Sequence, residues 1–226
     1  MRQGDSIVLE HPPTLVADAH ALVLEMAQGS RVLNVGAAGN ATYYRDFGAD
    51  GWLHARLAQT AETLVGLDLD ADEAIVATGL GFNVQVENCE TVDLAETFDV
   101  IVLADVLEHV EAPAQALTNM MRHLSPGGKI VITTPNATFF GNVVNALMRR
   151  GPNVYWDHVN LFTPENIQAL CDRHGWNLLQ THLYSQTDTR TTSVRLKSAM
   201  INIVGLLFPR LHSTFMCVLV PGSSSS

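Results

Sequence analysis

The sequence is poor in cysteine, with Cys89, Cys171 and Cys217 each isolated along the chain. No CxxC pair is present to build a metal or redox centre, and an odd number of scattered thiols fits a reducing compartment better than a disulfide framework. Charge is also sparse. Charged residues make up 16% of the 226, and 23 acidic against 13 basic side chains give a formal net charge of −10. That balance argues against a non-specific grip on nucleic acid, which needs clustered Lys and Arg, and the basic run from Arg190 to Lys197 is small. An aromatic–basic platform for stacking bases is absent as well. No stretch reaches the roughly 18 apolar residues of a spanning helix. Residues 1–10 lack the apolar core of a signal peptide, and a cytoplasmic location is expected. There is no internal repeat.

What remains is an ordinary globular composition, 47% hydrophobic, sufficient to bury a core. The length fits one domain over 1–226, with a core at about 30–185 and 214–220 and insertions at about 137–158 and 186–213. Helical segments alternate with short β-rich runs, which predicts an α/β sheet with helices on both faces. Strands are expected at Arg31–Val35, Thr63–Leu67, Phe82–Val86, Phe98–Leu103 and Lys129–Thr133, with two more at Trp176–Ser185 and Thr214–Val220. Helices are expected at Leu15–Gln28, within Thr42–Gln59, at Ala71–Gly79 and at Ala112–Leu124. Another starts at Thr163, as N-cap, with Pro164 in its first position, and runs to near Gly175. Ser125-Pro-Gly-Gly128 reads as a turn. Val194–Leu207 reads as an amphipathic helix, either packed on the domain or forming a lid or membrane-surface contact for a lipid-linked substrate.

The most informative segment is Arg31-Val-Leu-Asn-Val-Gly-Ala-Ala-Gly-Asn40, an apolar strand running into a small-residue turn. Gly36, Ala37, Ala38 and Gly39 let a ligand approach the backbone. Asp68, at the tip of the next strand, can accept both hydrogen bonds of a ribose diol. Together they describe a pocket for an adenosine-containing cofactor.

Four blocks then identify a resemblance: Val32-Leu-Asn-Val-Gly-Ala-Ala-Gly-Asn40, Val65-Gly-Leu-Asp-Leu-Asp70, Phe98-Asp-Val-Ile-Val-Leu-Ala-Asp-Val-Leu-Glu-His-Val110 and Leu124-Ser-Pro-Gly-Gly-Lys-Ile-Val-Ile-Thr-Thr-Pro-Asn136. A fifth is Asp157-His-Val-Asn-Leu-Phe-Thr-Pro-Glu165. Over residues 30–185 the chain resembles the Rossmann-like, class I S-adenosylmethionine-dependent methyltransferases. It looks most like the group with ubiquinone-biosynthesis and small-molecule O-methyltransferases. The resemblance implies a three-layer fold with a seven-stranded, mostly parallel sheet whose last strand is antiparallel. It implies S-adenosylmethionine as cofactor and a small-molecule acceptor. The turn Gly36, Ala37 and Gly39 would pass beneath the methionine part, Asp68 and Leu69 would meet the ribose, and Asn88 and Cys89 the adenine. Ala104 and Asp105 would line the methionine side. Two departures stand out: Asn34 replaces an acidic residue, and Ala38 replaces a glycine, with Gly39 one position later. Asn34 can still hydrogen-bond the cofactor's ammonium group but lacks the charge to attract it.

A hydroxyl acceptor must lose a proton, a task for a neutral histidine. Of nine histidines, His109, beyond the central strand, and His158, in the loop after Tyr155-Trp156-Asp157, are the candidate bases. His109 could instead cap a helix, and His158 could instead orient its loop. Glu108 and His109 offer two metal ligands, but spacing supplies no third, so no metal site is expected. Phe139–Arg150 reads equally as an active-site cover or as a surface helix. The alternative functions are a non-turnover S-adenosylmethionine-binding protein and a nicotinamide oxidoreductase. The latter is disfavoured because Asp68 lies 32 positions beyond Gly36, against roughly 20 in the dinucleotide fingerprint. Oligomeric state leaves no signature in the sequence.

Overall fold

The structure, a computed structural model, describes residues 6–152, 154–185 and 202–222. The chain divides into two compact units, His20–Ile132, and Met1–Ala19 together with Thr133–Ser226. In chain order the elements begin with β1 (Thr14–Leu15) and α1 (Ala19–Ala27).

The 20–132 unit is built on β2 (Arg31–Val35), β3 (Thr63–Asp68), β4 (Val84–Val86) and β5 (Phe98–Ala104). β2 pairs in parallel with β3, Val35 facing Leu67, and with β5, Val35 facing Leu103; β3 pairs in parallel with β4. With parallel neighbours on either side, β2 is buried on both faces, and β5 beside it is a near-continuous apolar run; Val32, Leu33, Ile101, Val102 and Leu103 are fully buried. The matched register brings the carboxyl ends of β2, β3 and β5 to one edge, where ligands bind in sheets of this kind. Between them run α2 (Ala41–Phe47), α3 (Leu53–Leu57), α4 (Ala71–Gly79) and α5 (Pro113–Arg122). α4 has the bounds its sequence predicts. Its N-cap Asp70 accepts from the Asp72 and Glu73 amides, and those acidic residues suit the positive end of the helix dipole.

At the opposite end of β2, the Arg31 amide and guanidinium donate to Asp99, and the Ser125 hydroxyl donates to the same carboxylate. Arg31, then Ser125, hold the Asp99 carboxyl well below the usual carboxylate range. Its contribution to stability is therefore present above the ordinary carboxylate pKa and is lost as pH falls. The pair is about 40% exposed, and solvent screening limits it to about 1 kcal/mol. Asp99→Asn is expected to cost about that much at pH 7 and to flatten the acid limb of a melting-temperature profile below pH 4.

The other unit holds α6 (Phe140–Leu147), α7 (Pro164–His174), β7 (Trp176–Tyr184) and β8 (Thr214–Pro221), while β6 (Leu124–Pro135) begins in the first unit and ends in this one. β8 is antiparallel to β7, and β1 is parallel to it. α7 starts and stops where its sequence says. Thr163 and Asn166 form a reciprocal capping box, Pro164 opens the helix, and Gly175 closes it with φ +71°.

Four expectations need correction. The described residues contain eight strands rather than seven, the addition being the two-residue β1. Its Leu15 was assigned to the first helix by periodicity, but it pairs with Leu183 of β7, a contact remote in sequence. The third strand starts at Val84, not Phe82, whose ring packs on the aromatic cluster described below. Ser125–Gly128 belongs to β6 instead of forming a separate turn. Gly127 takes φ +82°, and a Cβ on Gly128 would lie 2.9 Å from the Phe98 carbonyl oxygen, so both glycines let an extended strand bend against its neighbour. Of the expected helix at 194–207, only 202–207 falls within the described residues and is helical. The run Arg190–Lys197 lies outside them. Among the described residues no helix is long and apolar enough to cross a membrane.

Candidate active site

The turn after β2 is fixed from three directions. The Ala37 amide donates to the Leu67 carbonyl at 3.0 Å. Asp68 Oδ2 accepts from the Ala38 amide at 2.8 Å and the Gly39 amide at 3.4 Å, while Oδ1 accepts from the Asp70 amide at 3.0 Å. The Trp52 indole N–H donates to the Ala37 carbonyl at 2.8 Å. Gly36 has φ +70°, and a Cβ there would meet Val106 Cγ2 at 2.6 Å. Ala38, in a position where glycine is the usual residue, is fully buried in a cluster with Ala41, Ala55, Ala74 and Trp52. Its methyl group serves packing.

Beside this turn lies a cleft of about 280 Å³. Six of the residues singled out in the sequence line it: Asn34, Gly36, Ala37, Gly39, Ala104 and Asp105. Asp105 has φ +52°, a left-handed conformation uncommon outside glycine and enriched at functional sites. Asp68, Leu69, Asn88 and Cys89 lie outside the lining. Leu69 is exposed, and Asn88 Oδ1 accepts from the Glu90 amide at 2.8 Å. Cys89 is buried, which pushes its thiol up to about 11, and its carbonyl accepts from Asn119.

The remaining lining comes from His20, Tyr44, Gly51, Trp52, Leu53 and His54, none of which the sequence reading placed at the site. Tyr44 stacks on Trp52 with centroids 5.4 Å apart and planes 3° from parallel, and Phe82 meets Trp52 edge-on. His54 is 1% exposed. Its Nδ1 lies 3.1 Å from the Asn34 amide nitrogen, and its Nε2 is buried with no hydrogen-bond partner among the described residues. Burial lowers its pKa to about 4, so the ring is neutral at pH 7. The imidazole fits only because Gly66 lies beside it: a Cβ there would sit 2.9 Å from His54 Cε1 and 2.6 Å from the Ala37 Cβ.

A family model described as "Methyltransferase domain" matches residues 9–181. The chain belongs to this family. Its sequence and fold are similar to those of known methyltransferases. Among curated proteins, it is 28% identical over 163 residues to a ubiquinone biosynthesis O-methyltransferase of Nitrosococcus oceani, covering 66% of this chain and 64% of the relative. It is 30% identical over 160 residues to the protein of that name from Cereibacter sphaeroides, covering 66% and 60%. The chain thus spans about three fifths of the length of these relatives. Among solved structures, the N-methyltransferase NodS from Bradyrhizobium japonicum WM9, in complex with S-adenosylhomocysteine, shares its fold. Its TM-score is 0.54 at 15% identity, over 88% of this chain and 84% of that one.

The two candidate bases sit on different units. His109 is exposed just past β5, its amide donating to the Val106 carbonyl at 2.9 Å. His158 is half-buried in the 133–226 unit, its ring 5.0 Å from Tyr155. Trp156 beside it is 97% exposed. α6, in the segment Phe139–Arg150 that reads equally as a cover or as a surface helix, has no buried residue.

Proposed function

We propose that this chain methylates a hydroxyl oxygen of a small molecule, with S-adenosylmethionine seated in the cleft beside Gly36–Gly39. The cleft carries this reading. A small-residue turn stands at the carboxyl edge of the parallel strands, with Asn34 and the Ala104–Asp105 corner facing the same space. The residues suit the cofactor. Gly36 takes φ +70° where a Cβ would meet Val106 Cγ2 at 2.6 Å, so the turn lies close against the Ala104–Asp105 corner without a side chain. Asp68 Oδ1 retains an acceptor position for a ribose hydroxyl beyond the amides that the carboxylate holds in the turn. The family match runs across both units, which supports one methyltransferase domain. The names of the curated relatives support oxygen as the methylated atom, and exposed Leu147, Trp156, Leu207 and Phe208 favour an acceptor with an apolar or lipid-linked part.

Bound S-adenosylmethionine supplies a sulfonium methyl group for in-line displacement. The methyl would pass to the acceptor oxygen, leaving S-adenosylhomocysteine, and the acceptor's proton would have to be received by a residue of this chain. The chain's work is to align the acceptor, exclude water and take that proton. His158 is the proposed base, with His109 the alternative. Calorimetric titration should show one-site binding of S-adenosylhomocysteine and none of NADH. Purified protein should then pass labelled methyl to a hydroxyl compound in a panel of phenols, sugars and amines. Transfer to amines alone would overturn the assignment to oxygen. In the active pairing, His158→Ala should cut turnover by about 100-fold, the scale of general-base catalysis, with cofactor affinity unchanged. Unchanged turnover would remove His158 as the base.

A further inference from the structure

Asn34, where the family resemblance implies an acid, lines the cleft and is 3% exposed. An amide side chain can rotate to present either its nitrogen or its oxygen, and only the oxygen can accept from an ammonium group. The orientation here is fixed by one neighbour. The amide nitrogen lies 3.1 Å from His54 Nδ1. A neutral imidazole accepts at only one nitrogen, so accepting at Nδ1 places the ring proton on Nε2. No described residue donates to the Asn34 oxygen, and Asn34 lines the cleft. The ring itself is held in place by the absent Cβ of Gly66, by Trp52 and by an edge-on contact to Phe82 at 5.5 Å.

We propose that His54 is a positioning residue for the amino-acid end of the cofactor. By engaging the Asn34 nitrogen at Nδ1, it keeps the Asn34 carbonyl oxygen turned to the cleft as a neutral acceptor for the ammonium group. The role rests on the cofactor-site reading above. Asn34 and His54 together stand in for a carboxylate: the missing charge is replaced by a dipole that cannot turn the wrong way. Burial keeps the ring neutral and so keeps Nδ1 able to accept.

The test compares two ligands in the full chain. S-adenosylhomocysteine carries the ammonium group; 5′-methylthioadenosine has the same adenosine and thioether but no amino-acid end. In His54→Leu, which fills the space but cannot accept, S-adenosylhomocysteine should bind about 10-fold more weakly while 5′-methylthioadenosine binds as before. In His54→Asn, whose side-chain oxygen can replace Nδ1, affinity should return to within about 3-fold of the parent. Nitrogen NMR of the parent should show the Nε2-protonated tautomer. Equal weakening of both ligands would make His54 merely structural, and unchanged S-adenosylhomocysteine affinity or an Nδ1-protonated ring would also overturn the proposal. If the parent binds neither ligand, the cofactor-site reading itself has failed, a result distinct from these.

Discussion

Asp68→Ala should weaken S-adenosylhomocysteine binding by at least about 100-fold, the largest loss expected from any single change in the cleft region. Two separate interactions disappear. The first is a charge-assisted hydrogen bond from a ribose hydroxyl, worth about 1.5–3 kcal/mol, whose upper end accounts for the factor. The second is internal, because Asp68 Oδ2 is the acceptor for the Ala38 and Gly39 amides. Ala38 is fully buried, and orphaning its N–H costs about 1–3 kcal/mol. Calorimetry on Asp68→Ala and Asp68→Asn, with melting temperatures measured alongside, separates the two. Asn keeps one acceptor oxygen, so it should preserve most of the fold while losing about 10-fold in affinity. A destabilised Asp68→Ala that still binds within about 3-fold of the parent would confine Asp68 to holding the turn.

The second large effect is on stability as a function of pH. In the unfolded chain His54 takes up a proton near pH 6.5; in the folded protein burial delays that until about pH 4. Between those values the unfolded state binds more protons, so stability falls as pH is lowered from 6.5 and levels off below 4. The full difference is about 3 kcal/mol. His182 and His212 are lowered by burial too and slope the same way, so the diagnostic is the difference between the parent and His54→Leu. Denaturant unfolding at several pH values should show the parent losing about 3 kcal/mol more than the variant. Parallel profiles would mean that the imidazole is hydrated or protonated in the folded state.

What could be read from the sequence was local. α4 and α7 were bounded correctly because Asp70, Thr163, Pro164 and Gly175 each act on the backbone within a turn of themselves. Asn34, Gly36, Ala37 and Gly39 could be placed at the cleft for the same reason: a strand and its turn are contiguous. Ala104 and Asp105 were placed by the resemblance to S-adenosylmethionine-dependent methyltransferases, on the block that starts at Phe98. Tyr44, Trp52 and His54 were missed because they reach the cleft from short helices whose facing is decided by packing against Ala37, Gly66 and Phe82. Aromatic residues on both sides of the Gly48–Gly51 break, Tyr43, Tyr44 and Phe47 before it and Trp52 after it, were the available clue, but they fit an ordinary core equally well. Leu15 was misassigned for a related reason, its pairing partner being Leu183. Ser125–Gly128 carries a turn composition, yet hydrogen bonding to Phe98 and Asp99 draws it into a strand.

The bond from the Trp52 indole to the Ala37 carbonyl makes the protein its own optical reporter. Of three tryptophans, Trp156 is almost wholly in water, whereas Trp52 is 3% exposed and wired to the turn that borders the cleft. Its emission belongs at the blue end of the spectrum, apart from that of Trp156. Any ligand that shifts Ala37 by a few tenths of an ångström must strain or relieve that bond, and the blue component should change while the red one stays constant. Occupancy of the cleft could then be followed in a stopped-flow fluorimeter without label, acceptor or turnover.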